Sequence, residues 1–299
     1  MSRFGLMKRA AYTPWLLGRA LRSYRRAVRL GAPGLDFARF GRRTGVKLLL
    51  KGDRGGLTLL LTPVNIVRYW EFAFAWEALA GRGGRCLDVA SPRLFSIRVA
   101  SRRNGVHVRM LNPDGQDAGL TRRFAHRLNL AQLVAEVLPI EALDDRRYDL
   151  IWSISVLEHI AGDAGDTEAF RRLYCALAPG GRLIVTVPVA RQYEIEFRGH
   201  DEYGLGTPEA GGTYFFQRLY DEAAIHRRLV EPSGGTATRI EWWGERTPGH
   251  FREYESRWIA DGDQCTVDDP EEVAREYRTY LTWGDMPGMG VCGIVMDKP

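Results

Sequence analysis

The middle of the chain places two apolar segments of strand length on either side of a segment of helical length. Residues 148–153 form a short apolar run, and residues 182–188 are rich in branched side chains without polar alternation. Both patterns are typical of strands that helices cover on both faces. The segment between them carries apolar residues on one helical face: Phe170, Leu173, Tyr174 and Leu177. Residues 178–181 (Ala-Pro-Gly-Gly) are expected to end that helix, so the spacing predicts one right-handed parallel strand, helix, strand unit.

The same segments resemble a known family. The run YDLIWSISVLEHI from Tyr148, followed by LAPGGRLIVTVP from Leu177, looks like the fourth and fifth strands of class I S-adenosylmethionine-dependent methyltransferases. The resemblance implies an α/β fold with a Rossmann-like, seven-stranded, mostly parallel sheet between two layers of helices. It also implies S-adenosylmethionine (SAM) as cofactor and methyl transfer as activity. We therefore predict a basic accessory region in residues 1–63 and a methyltransferase domain in residues 64–299.

The cysteines and the hydropathy indicate the compartment. The 4 cysteines are far apart and have no paired spacing, which argues against a zinc knuckle or a disulfide framework. No apolar run reaches the roughly 18 residues that a membrane span needs. These observations predict a protein of the reducing cytoplasm.

Charge divides the chain into two unlike parts. Residues 1–51 contain 13 of the 42 Lys and Arg residues and 1 of the 37 Asp and Glu residues, a local net charge of +12, so that positions 52–299 carry −7. Thr13 and Pro14 are a suitable helix start. Two stripes follow them in the sequence. The apolar stripe consists of Leu17, Leu21, Tyr24 and Val28, and the basic stripe consists of Arg19, Arg22, Arg26 and Arg29. Such a cationic amphipathic helix, within residues 1–30, can dock on the acidic domain, contact an anionic membrane peripherally, or bind nucleic acid.

Two further segments precede the first strand of the domain. Residues 46–50 and 57–61 flank a glycine-containing loop and predict a β-hairpin. Residues 65–79 are helix-like and strongly aromatic, which favours packing against the domain. Tyr69 and Glu71 of this segment are candidates for ligand contact.

The turn after the first predicted strand, residues 85–90, is expected to contact the cofactor, because ligands bind beyond the carboxyl ends of parallel strands. The family has an acid followed by three spaced glycines. Asp88 matches the acid, but the glycine positions hold other residues: Ala90, Pro92 and Leu94. Either Ser91 and Arg93 hold the methionine carboxylate of SAM, or the site has lost its cofactor.

The resemblance assigns three more cofactor contacts. Asn112 stands after the second strand, residues 106–111, where the family places an acid that binds the ribose hydroxyls; Asp114 follows closely. Glu141, near the end of a weak third strand at residues 134–139, is the candidate for the adenine amine. Ser153 is expected to contact the cofactor from the fourth strand.

His159 is the candidate catalytic residue. A histidine beyond the fourth strand can remove a proton from an acceptor hydroxyl, although methyl transfer itself depends mainly on alignment. The alternative is a structural histidine that hydrogen-bonds the backbone. Some relatives bind a metal here with two acids and the histidine, but Ser155 replaces the first acid, so no metal is predicted.

The carboxyl-terminal half supplies the remaining parts of the expected domain. Residues 189–235 form an aromatic, glycine-containing insertion that is predicted to be a lid over the acceptor. Residues 238–243 and 291–296 fit an antiparallel pair of edge strands, and a helix capped by Asp269 is predicted between them.

Three functions remain open. The first is methyl transfer to a hydroxyl or amine of a small-molecule or a glycan- or lipid-linked acceptor. The second is a non-catalytic, methyltransferase-like binding protein that has lost its cofactor. The third is a nucleic-acid methyltransferase, against which the chain lacks the Asn/Asp-Pro-Pro-Tyr/Phe signature after the fourth strand.

Overall fold

The computed structural model describes residues 3–102, 104–144, 147–202, 204, 206–209, 211–261 and 266–299. Contacts divide the chain into two units, Met1–Ala73 with Glu245–Arg278, and Phe74–Gly244 with Thr279–Pro299. The boundary predicted at residue 63 stays a prediction. No sequence pattern indicated that residues 245–278 group with the amino-terminal helices.

The elements are numbered in chain order. The helices are α1 (Arg3–Leu30), α2 (Leu35–Leu50), α3 (Gly56–Leu61), α4 (Ile66–Ala78), α5 (Arg93–Arg102), α6 (Gly115–Leu128), α7 (Gly165–Cys175), α8 (Glu222–Ala224), α9 (His250–Asp261) and α10 (Asp269–Glu276). The strands are β1 (Gly84–Val89), β2 (Val106–Leu111), β3 (Leu133–Glu136), β4 (Tyr148–Ile154), β5 (Leu177–Val189), β6 (Glu194–Arg198), β7 (Tyr214–Leu219), β8 (Ala237–Glu245), β9 (Tyr277–Tyr280) and β10 (Gly290–Asp297). Single-turn helices occur at Ile140–Ala142 and Leu157–His159, and a π-helix follows α8 at Ile225–Val230.

The predicted hairpin near residue 50 is wrong, because the chain is helical on both sides of the turn, in α2 and α3. Phe37, Thr44 and Leu48 are buried at helical spacing. Gly45 and Gly56 let the two helices approach closely, since a Cβ on Gly45 would lie 2.6 Å from the Gly56 carbonyl oxygen. The glycines therefore serve helix packing rather than a hairpin loop.

Helix α1 also differs from the prediction. It begins at Arg3 rather than at Thr13 and contains Pro14. Among residues 14–30, whose side chains the structure describes, the buried ones are not the apolar stripe but a line of mostly small side chains: Leu16, Ala20, Ser23 and Ala27. Small side chains let α1 lie close to α10, where the Ser23 hydroxyl donates to the Asp268 carbonyl at 3.0 Å.

Ion pairs reinforce this packing within the first unit. Arg19 pairs with Asp268, and Arg26 lies 3.2 Å from Glu271. The Asp269 carboxylate was predicted to cap α10, but it is buried and accepts the Tyr254 hydroxyl at 2.9 Å, and the residue before the helix is Asp268. Part of the basic stripe thus docks on acids of residues 268–271.

The second unit is built on an eight-stranded sheet of order β3-β2-β1-β4-β5-β10-β8-β9. The neighbours from β3 to β5 pair in parallel, and β10 runs antiparallel to both β5 and β8. The antiparallel pairing predicted for residues 238–243 and 291–296 is confirmed, but this pair is not the edge of the sheet, because β9 lies outside β8. The expected count of seven strands was too low, because the four residues of β9 are too few to show a clear period.

The central strand, helix, strand unit is confirmed with one change at its turn. Phe170, Leu173 and Tyr174 face the core from α7, but the helix ends at Cys175, and Leu177 already belongs to β5. A register shift between Tyr148 and Leu150 lets the Pro-Gly-Gly segment bulge within the strand pair.

The predicted lid contains a separate two-stranded antiparallel sheet of β6 and β7. The rings of Phe197 and Phe215 meet edge to face across it, with centroids 6.2 Å apart. Tyr203, another aromatic residue of the segment, lies outside the described residues. Within the described part of the chain, no helix is long and apolar enough to cross a bilayer.

Candidate cofactor and catalytic site

The carboxyl ends of β1, β2 and β4 lie at one edge of the sheet. Val89 pairs with Leu111, and Asp88 pairs with both Met110 and Trp152. The predicted residues that end or follow these strands therefore come together at this edge: Asp88, Ala90, Ser91, Arg93, Asn112 and Ser153. This edge is where parallel sheets bind their ligands.

The Asp88 carboxylate is fully buried and held by its own turn. One oxygen accepts the Ser91 backbone N–H at 3.0 Å, and the other accepts the Ser96 hydroxyl. The Trp152 indole N–H donates to the Ser96 oxygen at 3.2 Å. Burial raises the pKa of Asp88 to about 6, although the hydrogen bonds from Ser96 and Ser91 oppose that rise.

The turn after β1 keeps a glycine-like backbone without glycine. Ala90 has φ +48°, a left-handed conformation that costs a residue with a Cβ roughly 1–2 kcal/mol. Its N–H donates to the Leu111 carbonyl at 2.8 Å, and the Ser91 hydroxyl accepts the Ile154 N–H at 3.0 Å. The turn is thereby tied to both β2 and β4, which compensates the backbone strain.

Arg93 begins α5 and reaches toward the end of β2. Its guanidinium pairs with Asp117, and Asp117 also accepts the Asn112 amide N–H at 2.9 Å. The Asn112 side-chain oxygen accepts the Asp114 N–H at 2.9 Å. Both polar atoms of Asn112 are thus engaged within this loop, and the acidic group beside it is Asp117, which sequence reasoning missed because it lies in the first turn of α6.

The polar groups at this edge of the sheet include the kinds of hydrogen-bond donor and acceptor that SAM requires. A methionine carboxylate requires cationic donors, and the ribose hydroxyls require acceptors. Arg93 offers a partly exposed guanidinium whose Nε is buried without a hydrogen-bond partner among the described residues. Asp117 offers a partly exposed carboxylate close to Asn112. The Ser153 hydroxyl is buried and likewise lacks a partner in the described part of the chain.

Glu141 lies elsewhere. It is exposed, on the single-turn helix after β3, and lines a cavity of about 240 Å³ together with residues 162–165. The structure gives it no contact with Asn112 or Arg93. Its adenine role stays a prediction.

His159 stands on the single-turn helix directly after β4. Its Nδ1 lies 2.7 Å from the Phe216 carbonyl of β7, and its ring centroid lies 5.2 Å from that of Phe216. A carbonyl only accepts, so Nδ1 carries a proton and Nε2 of the neutral ring keeps its lone pair. Nε2 is 3.7 Å from the buried Glu158 carboxylate. His159 therefore makes the backbone hydrogen bond expected of a structural histidine, and its Nε2 can still accept a proton.

The loop after His159 is held by a buried arginine of the insertion. Arg218 of β7 donates to the Ile160 carbonyl at 2.6 Å and to the Gly162 carbonyl. Asp166, which is fully buried at the start of α7, accepts the Tyr220 hydroxyl at 2.9 Å and pairs with Arg228 at 2.6 Å. No sequence signal identified this cluster, because its members are up to 62 residues apart.

Solved structures align with this chain. Coclaurine N-methyltransferase, bound to N-methylheliamine and S-adenosylhomocysteine (SAH), aligns with TM-score 0.51 and 12% identity over 75% of this chain and 68% of that protein. Geranyl diphosphate C-methyltransferase from Streptomyces coelicolor A3(2), in complex with Mg²⁺, geranyl diphosphate and SAH, aligns with TM-score 0.48 and 14% identity over 76% of this chain and 76% of that protein. The [4+2]-cyclase SpnF aligns with TM-score 0.48 and 17% identity over 77% of this chain and 82% of that protein. No family profile and no curated protein matches the sequence.

The chain has the fold of class I SAM-dependent methyltransferases, as the resemblance implied, with eight strands in its main sheet. At 12% identity the similarity concerns the fold and not the acceptor.

Proposed function

We propose that this protein binds SAM at the carboxyl edge of β1, β2 and β4 and transfers its methyl group to a small-molecule acceptor. The observation that carries the proposal is the sheet order, with β10 inserted antiparallel between β5 and β8, combined with the polar cluster at that edge. When bound, SAM supplies an electrophilic methyl group on a good sulfonium leaving group.

In this proposal, each residue at the edge has a distinct task. Arg93 binds the methionine carboxylate, Asp117 accepts from the ribose hydroxyls, and Asn112 holds Asp117 in place by its 2.9 Å hydrogen bond. The left-handed turn at Ala90 leaves only a methyl side chain where the backbone approaches the ligand. Ser153 and Glu141 remain proposed contacts from the resemblance.

The acceptor in this proposal is a hydroxyl or an amine, free or linked to a glycan or lipid. His159 takes the acceptor proton at Nε2, because the Phe216 carbonyl fixes the other proton at Nδ1. The aromatic insertion that supplies Phe216 is proposed to cover the acceptor. Glu158 faces the imidazolium that would form.

Calorimetric titration with SAM, and separately with SAH, tests cofactor binding. We expect micromolar affinity for both. We expect Arg93→Ala to weaken binding at least tenfold, about 1.4 kcal/mol, and Arg122→Ala, which removes an exposed arginine from α6, to change nothing. An absence of binding up to about 1 mM, or about −4 kcal/mol, would refute the proposal.

A specific observation favours a second function, a non-catalytic binding protein. Asp88 and Arg93 are both engaged by the chain itself, and the three glycine positions hold Ala90, Pro92 and Leu94. The same titration separates the two functions. A folded chain that binds neither SAM nor SAH would support the second.

The acceptor is approached by measuring SAH release with panels of hydroxyl and amine compounds. We expect His159→Gln to reduce turnover of a hydroxyl acceptor about 100-fold while cofactor affinity stays unchanged. Unchanged turnover in His159→Gln would restrict His159 to its hydrogen bond with Phe216.

A further inference from the structure

We propose that a face shared by α1 and α2 binds the surface of an anionic lipid bilayer. This basic–apolar face consists of Leu21, Arg25, Val28 and Arg29 on α1, and Arg39, Arg43, Val46 and Leu50 on α2. The proposal concerns a surface of the first unit and does not depend on methyl transfer.

The apolar side chains of the basic–apolar face are exposed although large. Because α1 buries the line of small residues from Leu16 to Ala27, its larger apolar residues stay outside: Leu21 is 41% and Val28 49% exposed. On α2, Val46 is also exposed and Leu50 reaches 83%. Leucine and valine gain free energy when they leave water, so a line of them on the outside of two helices indicates a surface with a partner.

Each helix carries its part of the face along one side, and Tyr24 of α1 contacts α2. Leu21, Arg25, Val28 and Arg29 follow helical spacing, as do Arg39, Arg43, Val46 and Leu50. Tyr24 connects the helices, because its hydroxyl accepts the Arg39 Nε–H at 3.3 Å and its ring lies 4.7 Å from the Arg42 guanidinium.

The charges of the face select the partner. The arginines that pair with acids are Arg19 and Arg26, whereas Arg25, Arg29 and Arg43 are exposed and have no ion pair with any described residue. Residues 1–51 hold a single acid, Asp36. Arginines beside exposed leucine and valine match a layer of anionic headgroups above acyl chains, which attracts the charges and accepts the apolar side chains.

Co-sedimentation of the full chain with phosphatidylcholine vesicles, with and without phosphatidylserine, tests the proposal. We expect binding only to vesicles that contain phosphatidylserine. Arg25→Gln/Arg29→Gln should lower vesicle affinity about 25-fold, about fivefold for each arginine. Leu50→Ser should also weaken binding. Because Leu50 is largely exposed, that substitution should not affect folding.

The matched control is Arg122→Gln/Arg227→Gln, which removes the same charge from exposed positions of the second unit and should leave vesicle binding unchanged. Equal losses in the control and the test pair would overturn the proposal, as would sedimentation with neither vesicle. Retention on DNA or RNA without vesicle binding would assign the face to nucleic acid instead. SAM affinity, measured in the same variants, should stay unchanged, so failure of this proposal is distinguishable from failure of cofactor binding.

Discussion

Asp88→Asn is expected to stabilise the protein at neutral pH, because the folded chain buries an ionisable carboxyl that it holds more easily in the neutral form. The pKa of Asp88 is about 6 in the folded state, whereas an unfolded aspartate titrates near 3.9. Between these two values the folded state binds the proton and the unfolded state does not. Stability contributed by Asp88 is therefore fully present below about pH 4 and is lost as the pH rises through about 6.

The size of the effect follows from the two pKa values. Their separation of about 2 pH units corresponds to about 3 kcal/mol. Asparagine has nearly the same shape: its oxygen can accept the Ser91 N–H, and its amide can donate to the Ser96 oxygen, so the two hydrogen bonds of Asp88 have replacements. We expect Asp88→Asn to match the wild type near pH 4 and to gain up to about 3 kcal/mol at pH 8.

Urea denaturation of both proteins between pH 4 and 8 measures the effect. The quantity of interest is the difference in unfolding free energy between variant and wild type at each pH, because the other titrating groups cancel in it. A difference that does not change with pH would refute the reasoning. Ser96→Ala serves as comparison: it removes a hydrogen bond that lowers the pKa of Asp88, so its destabilisation should grow as the pH rises.

Three further predictions concern stability and are read by urea denaturation. Asp166→Ala should cost about 3–5 kcal/mol, because it leaves the buried guanidinium of Arg218 without its nearby carboxylate. Ala90→Gly should stabilise by about 1 kcal/mol, because φ at this position is +48°. Gly293→Ala should destabilise by about 1–3 kcal/mol, because its Cβ would lie 2.5 Å from the Phe74 ring.

Each of these substitutions has a control with a different expected sign or size. Glu168→Ala removes a partly exposed acid of the same helix as Asp166 and should cost far less than Asp166→Ala, because a solvated ion pair contributes little to stability. Ala118→Gly lies inside α6, where glycine should destabilise by about 1 kcal/mol. Gly119→Ala adds a Cβ into open space within α6 and should stabilise. Agreement in sign between a substitution and its Gly/Ala control would contradict the argument from backbone conformation or packing.

Sequence patterns were sufficient for the elements whose neighbours are close in the chain. The buried strands β1, β2, β4 and β5, the aromatic helix α4 and the antiparallel pair of β8 and β10 carry their signals in hydrophobic runs and periodicity. The glycine-containing segment around residue 50 gave the wrong element, because glycine indicates both a hairpin loop and a close helix contact. Only the packing of Gly45 against Gly56 distinguishes them.

In the candidate site, too, some residues were identified from local sequence, whereas their partners depend on the tertiary structure. Asp88 was identified from its place near the end of the first strand, since that place depends on local sequence alone. The partners of the site residues depend on tertiary structure. Ser96 of α5 donates a hydrogen bond to Asp88, and Arg93 pairs with Asp117, which is 24 residues away in the chain. His159 was predicted, but the Phe216 carbonyl that fixes its proton comes from 57 residues further along the chain.

The exposed face of α1 shows most clearly what local sequence patterns do not decide. Its two stripes are visible in the sequence, but they left open which side of the helix packs against the rest of the chain. The tertiary structure buries the small residues Ala20, Ser23 and Ala27, because a close approach to α10 aligns Ser23, Arg19 and Arg26 with residues 268–271. The sequence alone determined that the helix is amphipathic and basic. Which side faces solvent was decided by the fit between helices distant in the chain, which no local pattern encodes.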